Sequence, residues 1–460
     1  MINKEDLPQE AAVFKKDWTK GPIISNLLLL SWPMVVMELL YMVSQIVDMI
    51  WVGRLGSEAI AGVGIANIII MLVMAMDFGL IMGSRAMIAR FIGAGDIRGA
   101  NNATGQTILL GAVWGVLITV VGVFLAEPVL RLLGVEAAVV AEGAAYMRVM
   151  FAGWVVMELL VMCLFSIQAS GDTMTPMMVE ACIRGIHVTI CPILVLGWWI
   201  FPGLGVSGAA LSNVIAHSLG AAALLFILFK GYSRLRLTLR DFRPVPGIIW
   251  RILKIGIPAL AMNLQKAFGD VVLTWIIVPF GTVAVAAHSL NCRLEMFVMA
   301  IALGIGGGAG VLIGQNLGAG QPEQAKRSGW FAVGFVEVFM VAFAVAILLW
   351  AEHIIGIFTT EPELVEMGSV FLRIATASYV MMAVVMVLQS GIAGAGDTLT
   401  AMVVSMAMVW VVLLPLAFLL PGVADLGVYG VRWAIVAGAF AGAIALMAYF
   451  FMGRWLAKKV

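Results

Sequence analysis

The sequence predicts an all-α integral membrane protein with twelve transmembrane helices in two pseudo-symmetric six-helix bundles. Of its 460 residues, 63% are hydrophobic and 12% charged, with a mean hydropathy of +1.07, whereas roughly a quarter of residues are charged in soluble proteins. Apolar windows of spanning length follow one another along the chain, and the first half recurs in the second. This composition excludes a disordered chain, a nucleic-acid-binding protein and a water-soluble enzyme.

The apolar windows define the spans in order. A transmembrane helix needs about 20 residues, and without the alternating pattern of a barrel each window must satisfy its backbone as a helix. The four cysteines lie in these windows without CxxC spacing, so we expect no disulfide framework, no bound metal and no cofactor. The windows are Ile24–Val52, Ile60–Met82, Ile108–Leu125, Tyr146–Ser170, Met177–Pro202, Val206–Phe229, Ile252–Phe280, Val283–Val311, Phe331–Trp350, Val370–Ala393, Leu399–Leu420 and Val428–Met452.

Basic residues predict the orientation. They collect before the first span, after the sixth and after the twelfth, and an even number of spans puts these three places on one side. By the positive-inside rule we expect both termini in the cytoplasm of a multi-pass protein of the plasma membrane, a bacterial or archaeal inner membrane. The residues are Lys4, Lys15, Lys16, Lys20, Lys230, Arg234, Arg236, Arg240, Arg243, Arg251, Lys254, Arg454, Lys458 and Lys459.

An internal repeat predicts the domains. Two parallel six-helix repeats meet around a central cavity, where a transporter holds its substrate. We therefore predict an N-terminal bundle over residues 1–230, a cytoplasmic linker over 231–250 and a C-terminal bundle over 251–460. At a spacing of 225 Pro33 pairs with Pro258, Gly93 with Gly318 and Asp172 with Asp397, and at 222 Gly205 pairs with Gly427.

Polar residues form a stripe in the first span. Glu38, Tyr41, Gln45 and Asp48 are spaced by three, four and three residues and so share a helix face. Because charge at bilayer depth is costly, this face must meet a cavity or a partner. We predict that Asp48 and Glu38 couple a cation and that Tyr41 and Gln45 line the substrate cavity. The alternative for Asp48 is a residue at the membrane interface.

The fifth span carries a second stripe of Glu180, Arg184, His187 and Cys191. Glu180 and Arg184 have the spacing of an ion pair, and histidine changes charge near neutral pH. Glu180 and His187 are therefore further candidates for cation coupling. The alternative is an internal ion pair beside a core histidine.

The remaining polar residues of the spans lie mostly in the second half. Two structural roles are the alternatives to lining a cavity. Lys266 and Asp270 can neutralise each other, and His288 and Glu295 can form a salt bridge with Arg293. The residues predicted to line the substrate cavity in this half are Met262, Asn263, Lys266, Asp270 and His288.

Four further polar residues lie in the spans of the first half. Asp77 and Glu158 are acids whose partners the sequence does not reveal. Asn213 and His217 share a face of the sixth span, which favours hydrogen bonds within the packing.

The order and doubling of short motifs resemble the multidrug and toxic compound extrusion (MATE) family, and are most similar to its DNA-damage-inducible protein F branch. The resemblance implies alternating access and export of amphiphilic, often cationic compounds against inward protons or sodium. The motifs include Val47-Asp48, Gly53-Arg54-Leu55-Gly56, Ile88-Ala89-Arg90, Ile92-Gly93-Ala94-Gly95-Asp96, Gly171-Asp172-Thr173, Gly208-Ala209-Ala210, Ala286-Ala287-His288, Gly314-Gln315-Asn316 and Gly394-Ala395-Gly396-Asp397-Thr398.

The resemblance assigns the family's first-span aspartate to Asp48. In that branch the fifth span carries an asparagine and then an aspartate before a proline, and these positions are His187 and Cys191 here, so the fifth-span carboxylate is missing. The seventh-span glutamate of another branch is also missing, because Lys266 lies in that stretch. Glu38, Glu180 and His187 are the available replacements.

These observations predict a secondary active multidrug exporter, not an enzyme. Protons are favoured over sodium because a sodium site needs several converging oxygens. We expect a monomer in the bilayer that binds small molecules and no nucleic acid. The alternative is a flippase for lipid-linked or polysaccharide precursors, whose basic cavity would use Arg184 and Lys266. A membrane-embedded enzyme lacks support because the sequence has no HExxH or GxSxG motif.

Overall fold

The computed structural model describes residues 16–198, 201–423 and 426–458, and Lys4, Lys15 and Lys459 of the orientation argument lie outside these ranges. The helices of the described chain are joined by turns and loops and by one short hairpin, in which β1 (Gly197–Trp198) pairs antiparallel with β2 (Phe201–Pro202). The helices are α1 (Ile23–Gly53), α2 (Ser57–Gly93), α3 (Ile97–Leu132), α4 (Ala137–Ala152), α5 (Trp154–Ala169), α6 (Met174–Leu196), α7 (Val206–Lys230), α8 (Pro246–Ile277), α9 (Thr282–Gly318), α10 (Pro322–Gly356), α11 (Pro362–Gly394), α12 (Thr398–Met406), α13 (Leu414–Leu419) and α14 (Val428–Met452).

The number of spans agrees with the sequence. Within the described ranges, 11 helical segments are long and apolar enough to cross a membrane, and α4 with α5 forms a further pair bent by 53°. If this bent pair is counted as one span, the described chain has twelve spans. The bend falls at Gly153, where any Cβ would overlap the side chain of Val214 on α7. Between α12 and α13 the span continues through a π-helical stretch, Ala407–Leu413.

The backbone repeats in the same register as the sequence. Positive φ angles recur at turn glycines, and glycine adopts this conformation with little steric cost. The pseudo-symmetry of the two halves therefore extends to individual turns. The φ angles are 118° and 99° at Gly56 and Gly281, 75° and 71° at Gly95 and Gly320, 93° and 88° at Gly171 and Gly396, and 58° and 52° at Gly205 and Gly427.

The chain forms two compact units. The first contains Val36–Lys254, and the second contains Thr19–Val35 together with the chain from Ile255 onward. Each division falls inside a helix, α1 or α8, close to the helix-interior residues Pro33 and Pro258. Proline removes a backbone hydrogen bond and kinks a helix. The domain and linker bounds given above stay a prediction.

Close helix contacts follow the same division. In the first unit a Cβ at Gly83 on α2 would overlap the carbonyl of Ile252 at the start of α8. In the second unit a Cβ at Gly308 on α9 would overlap Ser31 on α1. Small residues let membrane helices approach closely, so these glycines hold the initial segments of α8 and α1.

The connection between α7 and α8 is fixed to α3 by Gln106. Its Nε2 donates to the carbonyls of Asp241 at 2.9 Å and Arg243 at 2.8 Å. The backbone N–H of Val245 donates to Gln106 Oε1 at 3.0 Å. Three hydrogen bonds from one side chain give this basic connection a defined position in the first unit.

The turns before α6 and α12 each contain a buried aspartate. Asp172 Oδ1 accepts from the backbone of Thr175 at 3.1 Å, and burial raises the pKa of Asp172 despite this bond. Asp397 lies 2.8 Å from Nζ of Lys458 and accepts from the Tyr449 hydroxyl. Burial alone would raise the pKa of Asp397, but these partners outweigh burial and hold it below its ordinary value.

Candidate functional site

Three side chains of the first unit converge on the carboxylate of Asp48. His187 Nε2 lies 3.0 Å from Asp48 Oδ1, and Asn213 Nδ2 donates to Asp48 Oδ2 at 3.0 Å. The Cys191 thiol donates to Oδ1 at 3.6 Å. We call Asp48, His187, Cys191 and Asn213 the Asp48 cluster.

Local sequence explains why these residues meet. His187 and Cys191 are one helical turn apart on α6, which places them on one face. The helix α7 returns from the β1–β2 hairpin with Gly208 in its first turn, where a Cβ would overlap the carbonyl of Leu194 on α6. This close approach brings Asn213, farther along α7, to the same carboxylate.

The burial of the cluster is uneven. His187 and Cys191 have no exposed surface and Asn213 is 7% exposed, whereas the side chain of Asp48 keeps 18%. A molecule or ion from outside the unit therefore meets Asp48 first. Within the described residues, Nδ1 of His187 has no hydrogen-bond partner.

The cluster can exchange a proton. The 3.0 Å between Asp48 Oδ1 and His187 Nε2 is within hydrogen-bonding distance, although neither ring nitrogen makes a hydrogen bond of good geometry among the described residues. A rotation of the imidazole ring would let the two groups share one proton. Histidine is the side chain whose ordinary titration lies nearest neutral pH. Asp48 and His187, both proposed as coupling residues, are therefore in contact, and the internal ion pair of Glu180 with Arg184 that the alternative required is also present.

Glu38 and Glu180 belong to a separate group in the same unit. Arg184 Nε donates to Glu180 Oε1 at 2.7 Å, as the spacing predicted. The Arg184 guanidinium lies 5.5 Å from the ring centroid of Tyr41. The charges of Arg85 and Glu180 act on Glu38. Arg85 and Arg184 thus balance the charges of the two glutamates. The coupling roles of Glu38 and Glu180 stay predictions.

The two predicted cavity residues of the first unit differ in their surroundings. Tyr41 is half-buried and its hydroxyl lies 4.0 Å from Sδ of Met74. Gln45 is exposed. Their roles in binding substrate stay predictions.

In the second unit, the predicted cavity residues on α8 flank Gln265 in the sequence. Asn263 Nδ2 donates to the carbonyl of Ala259 on its own helix at 3.3 Å, and Met262 is half-buried. Gln265 is instead buried and bonds to Ser405 and Trp410, each at 3.0 Å. These bonds join α8 to the span that contains the π-helical stretch.

Arg432 on α14 is a buried charge that sequence reasoning missed. It is 3% exposed, and its guanidinium lies 4.6 Å from the ring centroid of Phe371. His288 is buried with Nε2 3.6 Å from Cys292 Sγ, and the charge near it is Arg432. The predicted partner Arg293 is exposed. The available signal was a lone arginine in the last apolar window.

Lys266 and Asp270 are exposed and do not form the ion pair that their spacing suggested. Within the described part of the chain no contact under 4.0 Å joins their charged atoms, although their charges, with that of Arg432, act on Glu295. Two cations and two acids thus balance in this region of the second unit.

Asp77 and Glu158 are two buried acids of the first unit, at 6% and 2% exposure. Their charges act on each other, and Trp114 Nε1 donates to Asp77 Oδ1 at 2.7 Å. The structure therefore supplies neighbours for the two acids whose partners the sequence did not reveal.

Comparison with known proteins gives a consistent picture. The MatE family profile matches residues 33–193 and 258–419, one stretch in each half. The chain is 25% identical over 451 residues to the "Probable multidrug resistance protein NorM" of Thermotoga maritima, covering 95% of this chain and 94% of that protein. It is 23% identical over 399 residues to an "FAD transporter" of Shewanella oneidensis, covering 87% and 88%.

The fold also matches a solved structure. A multidrug resistance MATE family transporter of the MOP superfamily superimposes with a TM-score of 0.91 at 24% identity, covering 99% of this chain and 100% of that one. At this identity the likeness establishes the fold.

Proposed function

We propose, because this chain belongs to the MatE family of membrane transporters, that it exports amphiphilic or cationic compounds in exchange for inward protons by alternating access. Multidrug transporters among its relatives support an efflux role. Transport, not catalysis, is the activity of this family. We place the protein in the plasma membrane as a monomer with both termini in the cytoplasm, following the distribution of lysine and arginine.

The observation that carries the proposal is the contact of Asp48 with His187 at 3.0 Å. A proton entering from the exposed side of Asp48 can neutralise the carboxylate or charge the imidazole. Either event changes the charge of a buried group, whose energy depends strongly on its surroundings. Binding and release of this proton can therefore favour different conformations of the transporter.

Protons fit the Asp48 cluster better than sodium does. A sodium ion prefers oxygen ligands, and the cluster offers the carboxylate of Asp48 and the amide of Asn213. The other two members supply nitrogen and sulfur.

The flippase remains the alternative function. Its cavity would need positive charge to bind a pyrophosphate, but Arg184 is paired with Glu180. In the second unit Lys266 and Arg432 are balanced by two acids. The FAD transporter among the relatives also handles a pyrophosphate compound, so FAD is a useful probe of this alternative.

The test is transport by purified protein in liposomes. Ethidium efflux and FAD transport are each measured with a proton gradient and a sodium gradient imposed separately. We expect efflux under the proton gradient, its loss in Asp48→Asn, and its retention in Glu58→Gln, an exposed acid at the start of α2. Strict dependence on sodium would overturn the proton assignment, and transport of FAD without ethidium would favour the flippase class.

A further inference from the structure

Three members of the Asp48 cluster have the ligand types and spacing of a transition-metal site. One ligand atom from each of Asp48, His187 and Cys191 lies within 4.8 Å of the other two. The carboxylate oxygen is 3.0 Å from the imidazole nitrogen and 3.6 Å from the sulfur. In a tetrahedral zinc site the bond lengths place ligand atoms about 3.3–3.5 Å apart. The two distances from Asp48 are within a few tenths of an ångström of this spacing, and the imidazole nitrogen lies within 4.8 Å of the sulfur.

The chemistry of the ligands selects the type of ion. Thiolate and imidazole bind zinc, cobalt or cadmium in preference to sodium, magnesium or calcium. With the Cys191 thiol deprotonated, two negative charges neutralise a divalent cation, which lowers the cost of placing it among buried groups. The thiol proton leaves to solvent as the metal binds.

The surroundings also fit a metal ligand set. His187 is fully buried, and its ring nitrogens lack a hydrogen bond of good geometry among the described residues, so the ring is available to a ligand. Asn213 holds the second oxygen of Asp48 at 3.0 Å, as outer-shell partners hold ligating carboxylates. Asp48 supplies the exposed edge through which an ion can enter.

We propose that Asp48, His187 and Cys191 bind one zinc-class divalent ion, and that this ion inhibits export by occupying the Asp48 cluster. The inhibition rests on the proposed function, whereas the binding does not. The sequence alone gave no metal site because His187 and Cys191 are a turn apart on one helix and their third ligand comes from α1.

Binding is tested directly with cobalt, which reports its ligands by visible absorption. Protein without a histidine tag is titrated with Co²⁺ in detergent. We expect one ion per chain, with a thiolate-to-cobalt charge-transfer band that is lost in Cys191→Ser and kept in Cys163→Ser, a buried cysteine outside the cluster. Loss of a residue that only supports a metal ligand typically weakens metal binding by about 10–100-fold. His187→Gln removes a ligand itself and should weaken cobalt binding by more than this. No band in the parent, or a band that persists in Cys191→Ser, would refute the site.

Inhibition is tested separately in liposomes by adding Zn²⁺ during proton-driven efflux. We expect inhibition of the parent and resistance in Cys191→Ser. If cobalt binds but zinc leaves export unchanged, the inhibitory claim is wrong. If the parent shows no proton-driven efflux even without zinc, the proposed function fails, while the cobalt result still decides the metal site.

Discussion

Replacing Asn213 with alanine should shift the pH dependence of export without abolishing it. The substitution removes the amide that donates to Asp48 Oδ2 at 3.0 Å and leaves His187 in place. A hydrogen bond to a charged group contributes about 1.5–3 kcal/mol. Without it the carboxylate is less stable relative to the carboxylic acid, so the cluster retains its proton at higher pH.

The size of the shift follows from that energy. Because one pH unit corresponds to about 1.36 kcal/mol, the loss amounts to about 1–2 units. We expect the pH of half-maximal export to rise by this amount in Asn213→Ala. The assay is ethidium efflux from liposomes at a series of pH values with the proton gradient held constant.

A matched variant separates this effect from a general disturbance of α7. Ser218 is on the same helix, and its hydroxyl donates to the carbonyl of Val214, one turn earlier, at 2.7 Å. Ser218→Ala should keep the parental profile. The argument is wrong if folded Asn213→Ala also keeps it, or if both variants shift equally.

Two further predictions concern stability, measured by thermal unfolding in detergent. Gly83→Ala should lower the free energy of unfolding by about 1–3 kcal/mol, because the added Cβ would overlap the carbonyl of Ile252. The control Gly64→Ala, with no atom within 4 Å of the added Cβ, should be neutral or stabilising. Equal effects of the two substitutions would contradict the close contact. Asp397→Asn should cost about 1–3 kcal/mol at neutral pH by breaking the pair with half-exposed Lys458. Because the pKa of Asp397 is lowered in the folded protein, this stabilisation is present above the ordinary carboxyl pKa and is lost as pH falls through the lowered value. A difference in stability between parent and variant that stays constant into strong acid would contradict this prediction.

Sequence reasoning predicted the helices and the repeat because both depend on local signals. Hydrophobic runs of fixed length specify spans, and turn glycines such as Gly95 and Gly320 mark the same backbone conformation in each half. The bend at Gly153 was not predicted, because it depends on contact with Val214 from another helix. The division of α1 between two units was missed for the same reason.

The candidate site could be predicted only in part. Each helix stripe was visible from its spacing, so Asp48 and His187 were both proposed. Asn213 was assigned to packing because its partner comes from α1, and sequence spacing gives no distance between separate helices. Arg432 was overlooked in an apolar window, although a charge there requires compensation from elsewhere in the fold.

The division of α1 affects how the protein is made. Thr19–Val35 leaves the ribosome early, yet its unit is completed only by the chain that starts at Ile255. The first unit, in contrast, is complete once Lys254 has been synthesised. A gene cut between α7 and α8 would therefore encode two fragments that each lack a segment of their own unit, and neither could mature unless both were inserted into the same membrane.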